Sequence, residues 1–161
     1  PPDEQTFAVQ GGAARAGLGF GIGPSLGAVA RFRKGKWPFA LRGDAAFSWH
    51  SQTPSRGGVQ LTETASLGHF GAGAGVEVPM GTPRATAPYL LGTVGVYRFA
   101  GSGPAGDLSD IPDGVFTGTT DVALGIGGGV RFRQRFFLEA RVLTVGDFTT
   151  VPVTIGYVIR R

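Results

Sequence analysis

Hydrophobic and polar residues alternate along most of this chain, and the alternation predicts β-strands. Eight segments of about 8 to 13 residues show the two-residue period in which successive side chains point to opposite faces. These segments are longer than a usual strand of ~5–6 residues and match the ~9–11 residues of a tilted strand that crosses a bilayer. They are residues 7–14, 26–33, 39–50, 69–78, 89–99, 121–133, 136–145 and 151–160.

The two faces of these segments differ in residue type. One face carries large apolar side chains, and the other carries glycine, alanine and most of the strand charges. A soluble barrel would turn its apolar face inward. We expect the reverse here, because a small barrel could not enclose so many bulky residues, whereas glycines would leave room for arginines from neighbouring strands. The predicted lumen glycines are Gly71, Gly73, Gly75, Gly125, Gly127 and Gly129.

The predicted inward face also carries charges of both signs. Because buried charges must be paired or hydrated, we expect them to form a network in the lumen. On adjacent strands, Glu77 would reach Arg42, and Glu139 would reach Arg131. The predicted network comprises Arg31, Arg42, Asp44, Glu77, Arg98, Asp121, Arg131, Glu139 and Arg141.

Aromatic residues concentrate near the ends of the segments, and the connections alternate between short turns and longer loops. Two aromatic girdles are typical of membrane barrels, as are short turns at one rim and long loops at the other. The long loops are residues 51–66 and 100–118, and two modest loops are predicted around GFGIGPS and GDFTT. The predicted girdle residues are Trp37, Phe39, Trp49, Tyr89, Tyr97, Phe132 and Phe136.

Composition narrows the class of protein. The chain has 161 residues, which suits a single domain over 1–161, and only 16 % of them are charged. There is no cysteine, and the net charge of +4 is spread singly along the chain, so we expect no nucleic-acid partner. No apolar run reaches the ~18 residues of a membrane helix. The start, PPDEQTF, is typical of a mature or trimmed chain.

Four short patterns could carry chemistry, and each has a plainer interpretation. GSGPAG at 101–106 matches a dinucleotide-binding pattern but lacks the following helix. Asp107, Asp110 and Asp113 could bind calcium, although their spacing is not that of an EF-hand. We expect His50 and His69 to lie near each other at the rim, across a hairpin, but without further ligands they make a poor zinc site.

A nucleophilic site is the fourth pattern. Ser48 with His50 or His69, and with Asp44 or Asp121, supplies the residue types of a Ser–His–Asp triad. No nucleophile motif accompanies them. We therefore predict no catalytic residue, no metal site and no cofactor.

The chain resembles the small eight-stranded outer-membrane barrels of Gram-negative bacteria, the opacity-type and outer-membrane-protein-A-like proteins. The segments that carry the resemblance are APYLLGTVGVYRF (87–99), ALGIGGGVRF (123–132), FFLEARV (136–142) and VPVTIGYVI (151–159). The chain departs from such proteins at its end, where Ile159 stands in place of a terminal aromatic residue.

The sequence and the resemblance together predict an all-β, eight-stranded, antiparallel, up-and-down transmembrane β-barrel in a bacterial outer membrane. Its lumen would be polar and largely plugged, since eight strands leave an interior just filled by side chains. Its partners would be the lipid bilayer and protein or surface ligands of loops 51–66 and 100–118. The alternatives are a lipid-modifying membrane enzyme, a narrow pore, or a soluble ligand-binding barrel with the opposite face inside.

Overall fold

Eight long antiparallel strands close into one barrel in the computed structural model. The model describes residues 3–17, 20–52, 55–56, 59–60, 65–81, 86–102, 118, 120–133 and 135–160. The strands are β1 (Glu4–Ala16), β2 (Gly21–Arg33), β3 (Ala40–Gln52), β4 (Ser55–Arg56), β5 (Val59–Gln60), β6 (Ala65–Pro79), β7 (Thr86–Ser102), β8 (Thr120–Phe132), β9 (Phe136–Val145) and β10 (Phe148–Arg160). The barrel order is β1-β10-β9-β8-β7-β6-β3-β2, in which each long strand pairs with the next long strand along the chain and β1 pairs with β10. The remaining strands, β4 and β5, form a separate two-stranded sheet between β3 and β6. The predicted eight-stranded antiparallel barrel is confirmed.

The barrel strands are 10 to 17 residues long, so most exceed the predicted segments. Closure removes the unpaired backbone edge that an open sheet would expose. No helix among the described residues is long and apolar enough to cross a membrane.

Two connections are shorter than the sequence suggested. Most of GFGIGPS belongs to β2, which begins at Gly21, and most of GDFTT belongs to β10. Gly146 has a φ of 55°, a left-handed conformation that suits glycine in a tight hairpin turn. The predicted modest loops are therefore wrong, because a tight turn lets pairing extend to the strand ends.

The apolar faces of the strands form the outside of the barrel. Alternate residues along β9 are exposed and buried in strict order, with Phe136 and Leu138 outside and Phe137 and Glu139 inside. In the same way Ile126 at the middle of β8 is 71 % exposed. The alternative of a soluble barrel with its apolar face inside is therefore wrong.

At three places on the inner wall, a glycine makes room for an aromatic ring from the paired strand. Gly71 pairs with Tyr97, Gly129 with Tyr89, and Gly156 with Phe137. A Cβ atom added at any of these three glycines would overlap the ring of its partner. The expected room for arginines holds at Gly127, which faces the side chain of Arg141, whereas Gly75 and Gly125 face the side chain of Thr93. The aromatic rings cover what would otherwise be bare backbone.

Replacement of Gly156 by alanine tests this packing. Because the added methyl group would force the Phe137 ring from its place, we expect a loss of about 1–3 kcal/mol in the free energy of unfolding. Urea titration in lipid vesicles, followed by tryptophan fluorescence, measures the change. Gly92→Ala is the matched control, since a Cβ atom there meets nothing within 4 Å. Equal effects of the two substitutions would contradict the packing role.

Candidate functional site

The buried polar residues meet inside the barrel and form the candidate site. Alternation along β3, β6, β8 and β9 places their charged residues on the inner wall, and antiparallel pairing brings them to similar depths. The side chains fall into three layers along the barrel axis. A histidine and aromatic layer lies towards the long loops, an ion-pair network lies at mid-depth, and a cavity lies at the short-turn rim.

Glu139 is the most connected carboxylate of the network. Its Oε2 atom accepts hydrogen bonds from Arg42 Nη1 at 2.6 Å and from the Tyr89 hydroxyl at 2.8 Å. Its Oε1 atom accepts one from Arg42 Nη2 at 2.9 Å and lies 3.2 Å from Arg141 Nε. A two-pronged arginine–carboxylate pair of this kind has a fixed geometry and is among the stronger polar contacts. Glu139 therefore ties β3, β7 and β9 together.

Glu77 is a second centre of the network, nearer the short-turn rim. It accepts hydrogen bonds from Arg31 Nε at 3.0 Å and from Arg131 Nη2 at 2.5 Å. Arg42 Nη1 lies farther away, at 3.9 Å. Arg31 also lies 3.3 Å from Glu4 at the rim. Strands β2, β6 and β8 thus meet at this carboxylate, and Arg31 links it to Glu4 on β1.

The predicted pairing of Arg42 with Glu77 is found only as a long contact of 3.9 Å, and the predicted pairing of Arg131 with Glu139 is wrong. Arg42 bonds chiefly to Glu139 rather than to Glu77, and Arg131 bonds to Glu77 rather than to Glu139. Strand β3 lies opposite β9 in the barrel order, and Arg141 on β9 also reaches Asp44 on β3 at 2.8 Å. Long side chains meet across the lumen because an eight-stranded interior is narrow. Ion-pair partners in this lumen are therefore not limited to residues on adjacent strands.

Two predicted members of the network lie apart from it. Arg98 is exposed on the outer face of β7, in register with Val94 and Val96, because Tyr97 and Phe99 occupy the inner face. Its assignment to the lumen is wrong. Asp121 has the inward register, but it is exposed at the end of β8 and makes no ion pair with a described residue.

The predicted girdle residues divide between the outer wall and the lumen. Tyr89 and Tyr97 are wrong assignments, since both are buried inside and pack against glycines on the neighbouring strands. Trp37 and Phe39 lie together near the short-turn rim, with ring centres 4.9 Å apart. The other predicted girdle residues, Trp49, Phe132 and Phe136, are exposed on the outer wall.

Two histidines stack inside the layer near the long loops. The ring centres of His50 and His69 are 5.6 Å apart with nearly parallel planes, and His69 also lies 5.5 Å from Phe99. Phe20 and Leu67 are fully buried in the same layer. The sequence indicated that the histidines would be near each other, but it gave no sign of this apolar surrounding.

The same layer contains the residues of the predicted triad. The Ser48 hydroxyl hydrogen-bonds with His69 Nε2 at 3.1 Å, but Asp44 is committed to Arg141. Ser48 and His69 are both buried. In the described ranges, no group of three or more histidine, cysteine or carboxylate residues is placed to hold a metal ion. The pattern at 103–106 and the carboxylates Asp107, Asp110 and Asp113 lie outside the described residues.

Replacement of Glu139 by glutamine tests the energetic role of the network. The change leaves the buried Arg42 without its charged partner, so we expect a loss of about 3–5 kcal/mol in the free energy of unfolding. The matched control is Glu4→Gln, at a carboxylate that is 41 % exposed and 3.3 Å from Arg31, where we expect at most about 1 kcal/mol. Urea unfolding in lipid vesicles measures both. Similar losses for the two variants would contradict a central role for Glu139.

Comparison with known structures identifies the fold. No family model matches the chain, and no curated protein is similar to it in sequence. Neisserial surface protein A matches over 97 % of both chains with a TM-score of 0.65 and 17 % identity. The attachment invasion locus protein Ail of Yersinia pestis, solved with the heparin analogue sucrose octasulfate, matches over 98 % of both chains, with a TM-score of 0.57 and 13 % identity. The chain has the fold of the small eight-stranded outer-membrane β-barrels.

Proposed function

We propose that the protein is a single barrel domain of a bacterial outer membrane, with a lumen closed by its own side chains. The observation that carries this proposal is the sidedness of the wall, with paired charges inside and large apolar side chains outside. Lipid can cover the outer face without exposing any backbone edge, because the barrel is closed. The fold shared with outer-membrane barrels supports the same location.

Two features support a closed lumen. Guanidinium and carboxylate groups bond across the interior at Arg42–Glu139 and Arg141–Asp44. Nearer the long loops, Leu67, Phe99 and Phe148 fill the interior as a buried apolar cluster. An ion that crossed the lumen would have to break these ion pairs and then lose its hydration water in the apolar cluster. We therefore favour a barrel that does not conduct over a narrow pore.

The work of such a barrel would fall to its long loops, 51–66 and 100–118. The second loop carries Asp107, Asp110 and Asp113 and no basic residue. This acidic character favours a cationic or neutral protein or surface partner over the sulfated ligand class found with Ail. We propose a structural or interaction role, with no cofactor and no nucleic-acid partner.

A catalytic role is the weaker alternative. The contact between Ser48 and His69 supplies two members of a nucleophilic site, but both are enclosed by apolar side chains. A substrate would need to displace this layer before it reached the hydroxyl. We therefore propose that the protein is not an enzyme.

Arginine substitutions at two depths test the membrane location. Ile126 and Ile22 are similarly exposed, at 71 % and 73 %, but Ile126 lies at the middle of β8, whereas Ile22 lies at the start of β2, near the rim. In lipid, Ile126→Arg should cost about 2–4 kcal/mol of folding free energy, whereas Ile22→Arg should cost about 0–1 kcal/mol. Reversible unfolding in phospholipid vesicles measures both. Equal, small costs would contradict a lipid-facing wall.

Planar-bilayer recording tests the closed lumen. We expect no stepwise current from the full chain, because the two buried layers belong to the strands. A variant whose loops 51–66 and 100–118 are replaced by short Gly-Ser turns should also give no current, while it loses any surface interaction that the loops provide. Retained heat-modifiable migration on a gel is the control for folding. Stepwise currents from the folded full chain would refute the closed lumen.

A further inference from the structure

A cavity opens at the short-turn rim of the barrel, below the ion-pair network. Its volume is about 140 Å³, close to the ~150 Å³ of an apolar cavity that binds benzene in another protein. The walls come from the inner faces of the strands and from Met80 and Gly81 after β6. A ring with one small polar substituent would fit this space.

The charges around the cavity are unbalanced. Arg31, Arg33, Arg42 and Arg131 line it together with only two carboxylates, Glu4 and Glu77. Arg42 is held by Glu139, and Arg31 by both lining carboxylates. Arg131 is paired with Glu77, so the excess positive charge belongs to Arg33.

Arg33 and Arg131 retain unused hydrogen-bonding capacity. The hydrogen bond that Arg33 donates goes to the Trp37 carbonyl at 3.1 Å, and no described carboxylate pairs with it. Arg131 donates Nη2 to Glu77, while its buried Nε has no partner among the residues described. Guanidinium groups suit carboxylates because two parallel N–H groups match two oxygens. The rim thus offers donors for one further anion.

Apart from Thr6, the rest of the cavity wall is apolar. Ala8, Val29, Phe137 and Val158 form a buried or partly buried cluster with Tyr89, and the first four line the cavity beside it. The guanidinium carbon of Arg131 lies 5.0 Å from the centre of the Tyr89 ring. An apolar wall next to unpaired donors matches a ligand with an apolar body and one anionic group.

We propose that this rim cavity binds a small amphipathic carboxylate of about the size of benzoate. The carboxylate would bond to Arg33 and Arg131, and the ring would pack against the wall formed by Ala8, Val29 and Phe137. The short turns of outer-membrane barrels face the periplasm, so the ligand would enter from that side. A ligand that binds at one mouth does not pass through the lumen. A failure of ligand binding is therefore independent of the result of the conductance test for the closed lumen.

Binding of 4-fluorobenzoate to the full chain in phospholipid nanodiscs tests the proposal. Fluorine NMR should show saturable binding that empty nanodiscs do not give. Neutral 4-fluorobenzamide has the same shape without the charge, and loss of the charge-assisted contacts should weaken its binding by about tenfold. Equal binding of the two probes, or an equal signal from empty nanodiscs, would overturn the proposal.

Three variants locate the site. Arg33→Gln removes a donor that makes only a backbone contact, and Ala8→Leu fills the apolar wall while every charge stays in place. Each should weaken 4-fluorobenzoate binding by about tenfold, an effect typical of one charge-assisted contact or a filled pocket. Arg98→Gln is the matched control on the outer wall, and it should leave binding unchanged. Heat-modifiable migration shows which variants fold, and undiminished binding in folded Arg33→Gln and Ala8→Leu would overturn the assignment.

Discussion

The pairing of buried charges across the lumen is the constraint on which the rest of this barrel depends. Arg42 and Glu139 project from opposite walls, and their bidentate contact can form only if β3 and β9 face each other at the same depth. Each group would be costly to bury alone, so the pair disfavours arrangements that separate them. The contact between Arg141 and Asp44 repeats this requirement one step along the same two strands. Closure, strand number and register are coupled through these side chains.

The network also divides the interior into two unlike ends. On the long-loop side, His50 and His69 lie among Phe99, Phe148 and Leu67, and neutral polar groups such as Ser25 and Ser48 accompany them. On the short-turn side, the arginines outnumber the carboxylates and leave a cavity. Since neither end mirrors the other, the two mouths of the barrel differ in chemistry, and any ligand of the interior would distinguish them.

The sequence predicted the fold well because a period of two sets strand faces directly, and eight periodic segments leave few ways to close a sheet. It predicted which residues of β3 and β9 point inward for the same reason. Partners across the lumen were missed, because contacts between β3 and β9 depend on barrel diameter rather than on sequence spacing. The tyrosines were misplaced because both faces of β7 are largely apolar, so alternation alone could not show that Tyr89 and Tyr97 turn inward. A signal was present in the glycines, since Gly71 and Gly129 are the residues that pair with these rings.

Glycine and charge act together in fixing which face is inside. A slip of one residue in β6 would turn Glu77 towards lipid and bring Phe70 and Val76 into the lumen, where the Tyr97 ring already occupies the space beside Gly71. Apolar replacements of the ion pairs could match their stability, as in other proteins with buried pairs, but they would erase the difference between the two faces. The inner face of HFGAGAGVEV therefore contributes specificity: Gly71 admits the Tyr97 ring, and the single carboxylate, Glu77, penalises the opposite orientation.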